Sequence, residues 1–130
     1  MPQNEPILQQ LFTAKAATGV STSFPCAGYV NIGLDVTGAG TASGTLNIRG
    51  TFSKNIDLTS ASSASNPWFY VGYWNLDTGV FTAGSTGLVV AADVTTGILV
   101  NVDGLQSMAV EVSAYTSGNF TVNANASADA

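Results

Sequence analysis

An all-β fold, an antiparallel β-sandwich or jelly-roll-like arrangement of about seven or eight strands, is what this sequence predicts. Three observations carry that prediction. Apolar and polar residues alternate with period two in segment after segment. The segments are separated by clusters of Gly, Ser, Asn and Asp at the short spacing that marks turns. No stretch of helical periodicity lies between them, which argues against an α/β fold. At 130 residues the chain has the size of one ordinary domain, large enough to bury a single core.

The first 25 residues stand apart. Ile7, Leu8, Leu11 and Phe12 follow Pro6 at spacings of one and four, which predicts a short amphipathic helix and linker, an N-terminal arm spanning residues 1–25. So short a helix needs a surface to pack on, either its own domain or a neighbouring chain. Residues 18–25 read as a linker or edge strand. The sandwich is then expected over residues 26–130, beginning at Cys26, a lone cysteine that reads as a small core residue.

The strands follow in order. Val30, Ile32, Leu34 and Val36 share a face opposite Asn31, Gly33 and Asp35. A turn-rich run over residues 37–44 separates this strand from a second, in which Leu46, Ile48 and Phe52 oppose Asn47, Arg49 and Thr51. Residues 53–67, with their serine-rich centre, predict a long loop that caps one end of the domain or touches a partner. An aromatic strand runs from Trp68 to Trp74. Weaker strands are expected near residues 79–82 and 88–92. Three clear alternations close the chain, over 98–103, 108–115 and 120–125.

Composition narrows the function. Only 8% of residues are charged and the net charge is -5, so the surface is polar but nearly uncharged. Three basic residues (Lys15, Arg49, Lys54) cannot neutralise a run of phosphates, which argues against nucleic acid and anionic membranes as partners. Apolar runs fall short of a membrane span. Histidine is absent, which removes His-activated nucleophiles and His-ligated metal sites. The N-terminal residues lack the basic and apolar regions of a secretory signal, so cytoplasmic synthesis is expected.

Asp77-Thr78-Gly79 is the tripeptide of aspartic proteases, but Val80 and Phe81 follow it, and the same residues suit a hairpin turn. The other carboxylates are spread singly, without the rhythm of a calcium loop. Asp93 and Asp103 sit beside turns. No catalytic, cofactor-binding or metal-ligating set emerges, and no enzymatic activity is expected. The aromatic strand is the most distinctive feature. If Phe69, Val71 and Tyr73 point inward, then Trp68, Tyr70 and Trp74 line the other face. Such a face is covered by the chain itself, or docks a protein, or stacks sugar rings. Together with Ile7, Leu11 and Phe12 of the arm, these residues form the candidate interface.

The segment Val102-Asp103-Gly104-Leu105 through Ala114-Tyr115-Thr116-Ser117-Gly118-Asn119-Phe120-Thr121-Val122 resembles the closing hairpin of small β-sandwich structural proteins of tailed bacteriophages. Gly44-Thr45-Leu46-Asn47-Ile48-Arg49-Gly50-Thr51-Phe52 is similar to an earlier strand of the same modules. The loop after Phe52 and the N-terminal arm depart from their pattern. The resemblance implies a non-enzymatic virion protein. Its first reading is a capsid decoration (cement) protein on the capsid surface, a homotrimer bound to the major capsid protein. The alternative is a tail, fibre or host-recognition module that binds glycan through the aromatic patch. A charge-poor surface and free strand edges are compatible with permanent assembly.

Overall fold

The computed structural model describes residues 7–126. Among them the chain is all β, with ten strands: β1 Ile7–Lys15, β2 Gly19–Val20, β3 Phe24–Pro25, β4 Asn31–Thr51, β5 Phe69–Tyr70, β6 Tyr73–Asn75, β7 Val80–Thr82, β8 Leu88–Val90, β9 Thr95–Asn101 and β10 Ser107–Ala126. They form one antiparallel hydrogen-bonded sheet with the order β1-β10-β4-β9-β6-β7. β2 and β3 continue the β1 side of β10, and β5 and β8 continue the β9 side of β4.

The two strands expected on either side of residues 37–44 are one strand, β4, and the last two expected strands are likewise one, β10. β4 and β10 pair along almost their whole lengths, from Ser107 opposite Thr51 to Asn125 opposite Gly33. The turn residues predicted between the strands make a corner instead. A Cβ on Gly38 would lie 2.7 Å from the Cβ of Ala42, whereas residues four apart in an extended strand are separated by roughly 13 Å. Gly40 and Thr41 supply the bend with φ of 69° and 62°. Facing them, β10 carries three register shifts between Val112 and Asn119, and such bulges bend and twist a strand. The corner is braced from outside. Asp93 accepts hydrogen bonds from the backbone N–H groups of Ala42 (2.8 Å) and Thr41 (3.1 Å), and these hold its carboxyl below the ordinary carboxylate range. That is what this turn-side carboxylate does. Among the described residues no cluster of three metal-ligating side chains exists.

Because the ladder bends back, both of its halves contribute to one core. Ile32, Leu34 and Val36 precede the corner, Leu46 and Ile48 follow it, and Val110, Val112, Phe120, Val122, Ile98 and Val100 complete the same buried cluster. The Phe120 ring reaches Gly44 on the far side of the corner, where an added Cβ would meet it at 2.8 Å. Cys26 is fully buried in this core as expected, and burial pushes its thiol pKa up to about 12. Phe52, expected on the Leu46 and Ile48 face, lies beyond the end of β4 and is 63% exposed.

The helix expected in the N-terminal arm is not there. Residues 7–15 are strand β1, paired antiparallel with the end of β10, with register shifts after Gln10 and again after Phe12. A bulge lets successive residues face the same side, so Leu11 and Phe12 are both buried while Leu8 lies exposed on the outer face. That local irregularity is what imitates helical spacing in the sequence. Met1–Pro6 of the expected arm lie outside the described residues.

Two glycines separate strain from crowding. Gly118 has φ 75°, and a Cβ there would come within 2.5 Å of the Ala39 carbonyl; Gly79 has φ 71° with nothing near. Gly118→Ala is expected to destabilise by about 2–4 kcal/mol, strain plus overpacking. Gly79→Ala should cost only about 1–2 kcal/mol, the left-handed conformation alone. Urea unfolding of both variants with unchanged m-values checks the difference.

Candidate functional site

Beyond the corner, the outward face of β4 presents Asn47, Arg49 and Thr51, which alternation marks as solvent-facing. All three are buried. The loop between Phe52 and Trp68 covers Arg49 and Thr51, while Asn47 is covered by residues 84–87, its Nδ2 donating to the Gly84 carbonyl at 2.9 Å; Arg49 is the post on which the first loop is hung. Its Nε donates to Glu111 Oε1 (3.2 Å) and its Nη2 lies 3.0 Å from Glu111 Oε2, a bidentate pair across β4 and β10. Nη1 donates to the carbonyls of Leu58 (2.6 Å) and Ser60 (3.1 Å). Trp68 lies over the guanidinium, with Arg49 Cζ 4.0 Å from the ring centroid. Its indole N–H donates to the Ser60 carbonyl at 2.9 Å. Tyr70 packs edge-on against Trp68 at 5.3 Å between ring centroids and donates its hydroxyl to Glu111 Oε1 at 2.9 Å. Partial burial, and then that hydrogen bond, raise the phenol pKa of Tyr70.

The serine-rich loop is not loose. Asp57 and Asn66 clamp its two arms: Asp57 N–H donates to Asn66 Oδ1 and Asn66 Nδ2 to the Asp57 carbonyl, both at 2.8 Å. The Asp57 carboxylate accepts from the hydroxyls of Thr59 and Ser60 and the Thr59 N–H. These bonds lower its pKa from 3.8 to about 2, with the Ser60 bond contributing most. Ser62 ties the loop to the backbone of Trp68. Leu58 is buried beneath it, outside the main core cluster.

The candidate interface residues therefore separate. Leu11 and Phe12 are buried in the chain's own core, and Ile7 packs against it partly buried. Trp68 and Tyr70 belong to the Arg49–Glu111 assembly. Trp74 does not join them, because the expected aromatic strand is broken after Tyr70. Gly72 lies at the break, where a Cβ would come within 2.4 Å of the Phe81 ring. Trp74 starts again in β6 and makes its ring contact with Phe81 of β7, at 5.3 Å. Tyr73 points inward as expected, but Phe69 is 38% exposed and pairs with Phe52 at 4.9 Å. Asp77, Thr78 and Gly79 form the β6–β7 hairpin turn, with Asn75 accepting from the N–H groups of Asp77 and Thr78.

Three surfaces remain available for contact. The sheet edges are blunted: β1 is kinked by its register shifts and β7 has three residues, both devices that discourage strand addition. Phe52 and Phe69 form an exposed apolar pair. Trp74, Leu76 and Phe81, each about half exposed, form a larger apolar patch on one face of the β6–β7 hairpin, and Val80 is exposed on the other face. Sequence reasoning missed Arg49, Glu111 and Leu76. A lone arginine in a strand facing a lone glutamate in another, within a chain so poor in charge, is the signal that could have found the first two.

Glu111→Gln removes one charge of the pair while Arg49 stays buried. It is expected to cost about 1–3 kcal/mol, below the figure for a fully buried pair because both side chains retain some solvent contact. With Trp74→Phe as background, Trp68 fluorescence should shift to the red. The acid limit has a definite sign. Asp57 has a depressed folded pKa, so its contribution is complete above about 4 and is lost as pH falls through about 2. In the same background Trp68 emission should stay native-like at pH 3, and Asp57→Asn should remove the transition near pH 2.

No protein-family model matches the sequence, and no curated protein matches it significantly. Solved structures do share the fold. The crystal structure of the SPBc2 prophage-derived protein YomS superposes with a TM-score of 0.68 at 11% identity, covering 95% of each chain. The PBSX exported protein XepA superposes with a TM-score of 0.70 at 12% identity, covering 94% of this chain and 37% of XepA. At these identities the likeness is one of fold: this chain has the β architecture of YomS from end to end, and of one portion of XepA.

Proposed function

We propose that this chain is a non-enzymatic phage structural protein that works by surface contact. The observation that carries the reading is the end-to-end fold match to a prophage-derived protein. The organisation of the polar side chains supports it. Arg49, Glu111 and Asp57 satisfy one another or nearby backbone, and no buried side-chain polar atom among the described residues lacks a partner. Groups so fully engaged stabilise a scaffold and are not poised to react.

In its more specific form the proposal puts the protein on the capsid surface, bound to the major capsid protein as a trimeric decoration. With both sheet edges blunted, contact falls to side chains, and the Phe52–Phe69 pair is the assembly patch. Apolar contact of this kind resists salt, because screening weakens charge pairs and leaves burial intact.

Mass spectrometry of purified particles of the phage that encodes it tests the reading. The chain is expected at a copy number comparable to the coat subunit, and in tailless capsids as well as whole particles. Presence only in tails defeats the capsid form, and absence from particles defeats the structural reading. Light scattering on the purified protein should give a mass near three times 13.2 kDa at low and high salt alike. Phe52→Ser should lower it toward the single-chain mass.

A further inference from the structure

The half of the sheet before the corner has an outer face that no loop among the described residues covers. We infer that this face is a binding site for a neutral glycan, with Trp74 as the stacking platform and Asp35 and Asn123 as the hydroxyl-binding groups. The inference is independent of the virion reading above.

Sheet register lays the face out. Directly paired residues share a side, so one row runs Leu8, Asn125, Gly33, Leu99, Trp74, Phe81 across β1, β10, β4, β9, β6 and β7. The next row runs Gln10, Asn123, Asp35 and Gly97, with Leu76 beside Gly97. The glycines floor a shallow trough. A Cβ on Gly33 would meet only a backbone oxygen at 3.9 Å, and one on Gly97 only Leu76 at 3.7 Å. One wall is apolar: Trp74, 48% exposed, is steadied edge-on by Phe81 and flanked by Leu76 and Leu99. The other wall is polar and pre-ordered. Gln10 Nε2 donates to Asn123 Oδ1 at 3.1 Å, and Asn123 Nδ2 donates to Asp35 Oδ1 at 2.9 Å. From Trp74 on β6 to Asn123 on β10 the face, with Leu99 and Asp35 between them, spans three interstrand spacings, about 14 Å, the length of a short run of pyranose rings.

The chemistry of the walls selects the ligand. A pyranose has an apolar C–H face and a rim of hydroxyls that both donate and accept. An exposed indole suits the first, while amides and a carboxylate suit the second. Charge excludes the other small-ligand classes. Across the outward positions of β10, β4 and β9 in this half, Asp35 is the one ionisable side chain, and the remainder are amides, hydroxyls, glycines and one leucine. A phosphate or sialic acid meets a carboxylate and no cation. A cationic ligand finds a single charge already engaged with Asn123. A neutral polyhydroxyl ligand is complementary to what is left.

The test is titration of the full chain with cellohexaose, maltohexaose, chitohexaose and a purified neutral bacterial capsule polysaccharide, followed by tryptophan fluorescence and calorimetry. At least one probe is expected to bind. Trp74→Ala should weaken it at least ten-fold, and Asp35→Ala several-fold. Gly33→Val supplies an orthogonal check, since it fills the trough at an open strand position where a β-branched residue suits the fold; it should abolish binding without lowering stability. Phe52→Ser should leave binding unchanged. Binding that survives both Trp74→Ala and Gly33→Val overturns the inference, as does failure of every probe to bind. Failure of all probes together with self-association lost in Trp74→Ala assigns the face to protein contact instead. None of these outcomes bears on whether the chain is found in virions.

Discussion

Every other strand depends on the pairing of β4 with β10. β1, β2 and β3 bond to β10, β5, β8 and β9 bond to β4, and β6 and β7 follow outward from β9 in turn. A ladder of this length poses a geometric problem. Twenty residues of straight strand extend about 65 Å, whereas a domain of this size has a radius of gyration of about 14 Å. The ladder must bend, and the corner at residues 38–44 is the consequence. It brings several departures from regular strand together: Thr41 in the left-handed region, three register shifts on the facing strand, and the positive φ of Gly40 and Gly118. A β-branched residue at positive φ costs of order 1–3 kcal/mol. The two backbone hydrogen bonds to Asp93 act on Thr41 and its neighbour, where that cost falls.

The bend gives the two halves different outer faces. Past the corner the outer face is closed by the loop over Arg49, and a charge pair there is weak evidence of net stability, because desolvation offsets most of the attraction. Its stronger effect is on uniqueness. Five donors fixed in one plane accept only one arrangement of partners, and here they are matched to Glu111 and to two carbonyls of the loop. The loop's own carboxylate, Asp57, is taken up by Thr59 and Ser60. Trp68 then seals the guanidinium from above. Before the corner, no such cover exists among the described residues.

The inner face was legible in the sequence because period two survives wherever a strand is regular. Ile32, Leu34 and Val36 point inward as expected, as do Leu46 and Ile48, Val122 and Ala124. Legibility failed where the period is interrupted or where the cover comes from elsewhere. At β1 a bulge sets Leu11 and Phe12 inward together, and the resulting spacing mimics a helix. At Asn47, Arg49 and Thr51 alternation correctly reports the outward face, yet segments with no periodicity of their own bury it, residues 84–87 over Asn47 and residues 53–67 over the other two. The aromatic run breaks at residues 71–72, where Gly72 packs against Phe81, a contact nine residues away that leaves no local trace. The tripeptide Asp77-Thr78-Gly79 was the reverse case, with purely local hydrogen bonding and therefore readable as a turn.

This division of labour explains how a fold can persist at 11–12% identity over nearly the whole chain. The ladder requires alternation, the corner requires a few residues able to take positive φ, and the core requires volume; none of these fixes many identities. The residues that hold the backbone, Gly118, Asp93 and Arg49 with Glu111, lie at the corner or beyond it. The open face before the corner bears none of them. Its outward side chains therefore change without touching the ladder, and a contiguous patch such as Trp74, Leu76 and Phe81 is exposed there at a solubility cost that packing does not repay. Scattered exposed residues such as Val89 and Val94 carry no such implication. The contiguity of the hairpin patch, beside a trough floored by glycine and walled by ordered amides, is what distinguishes a surface built for contact from one that is merely left uncovered.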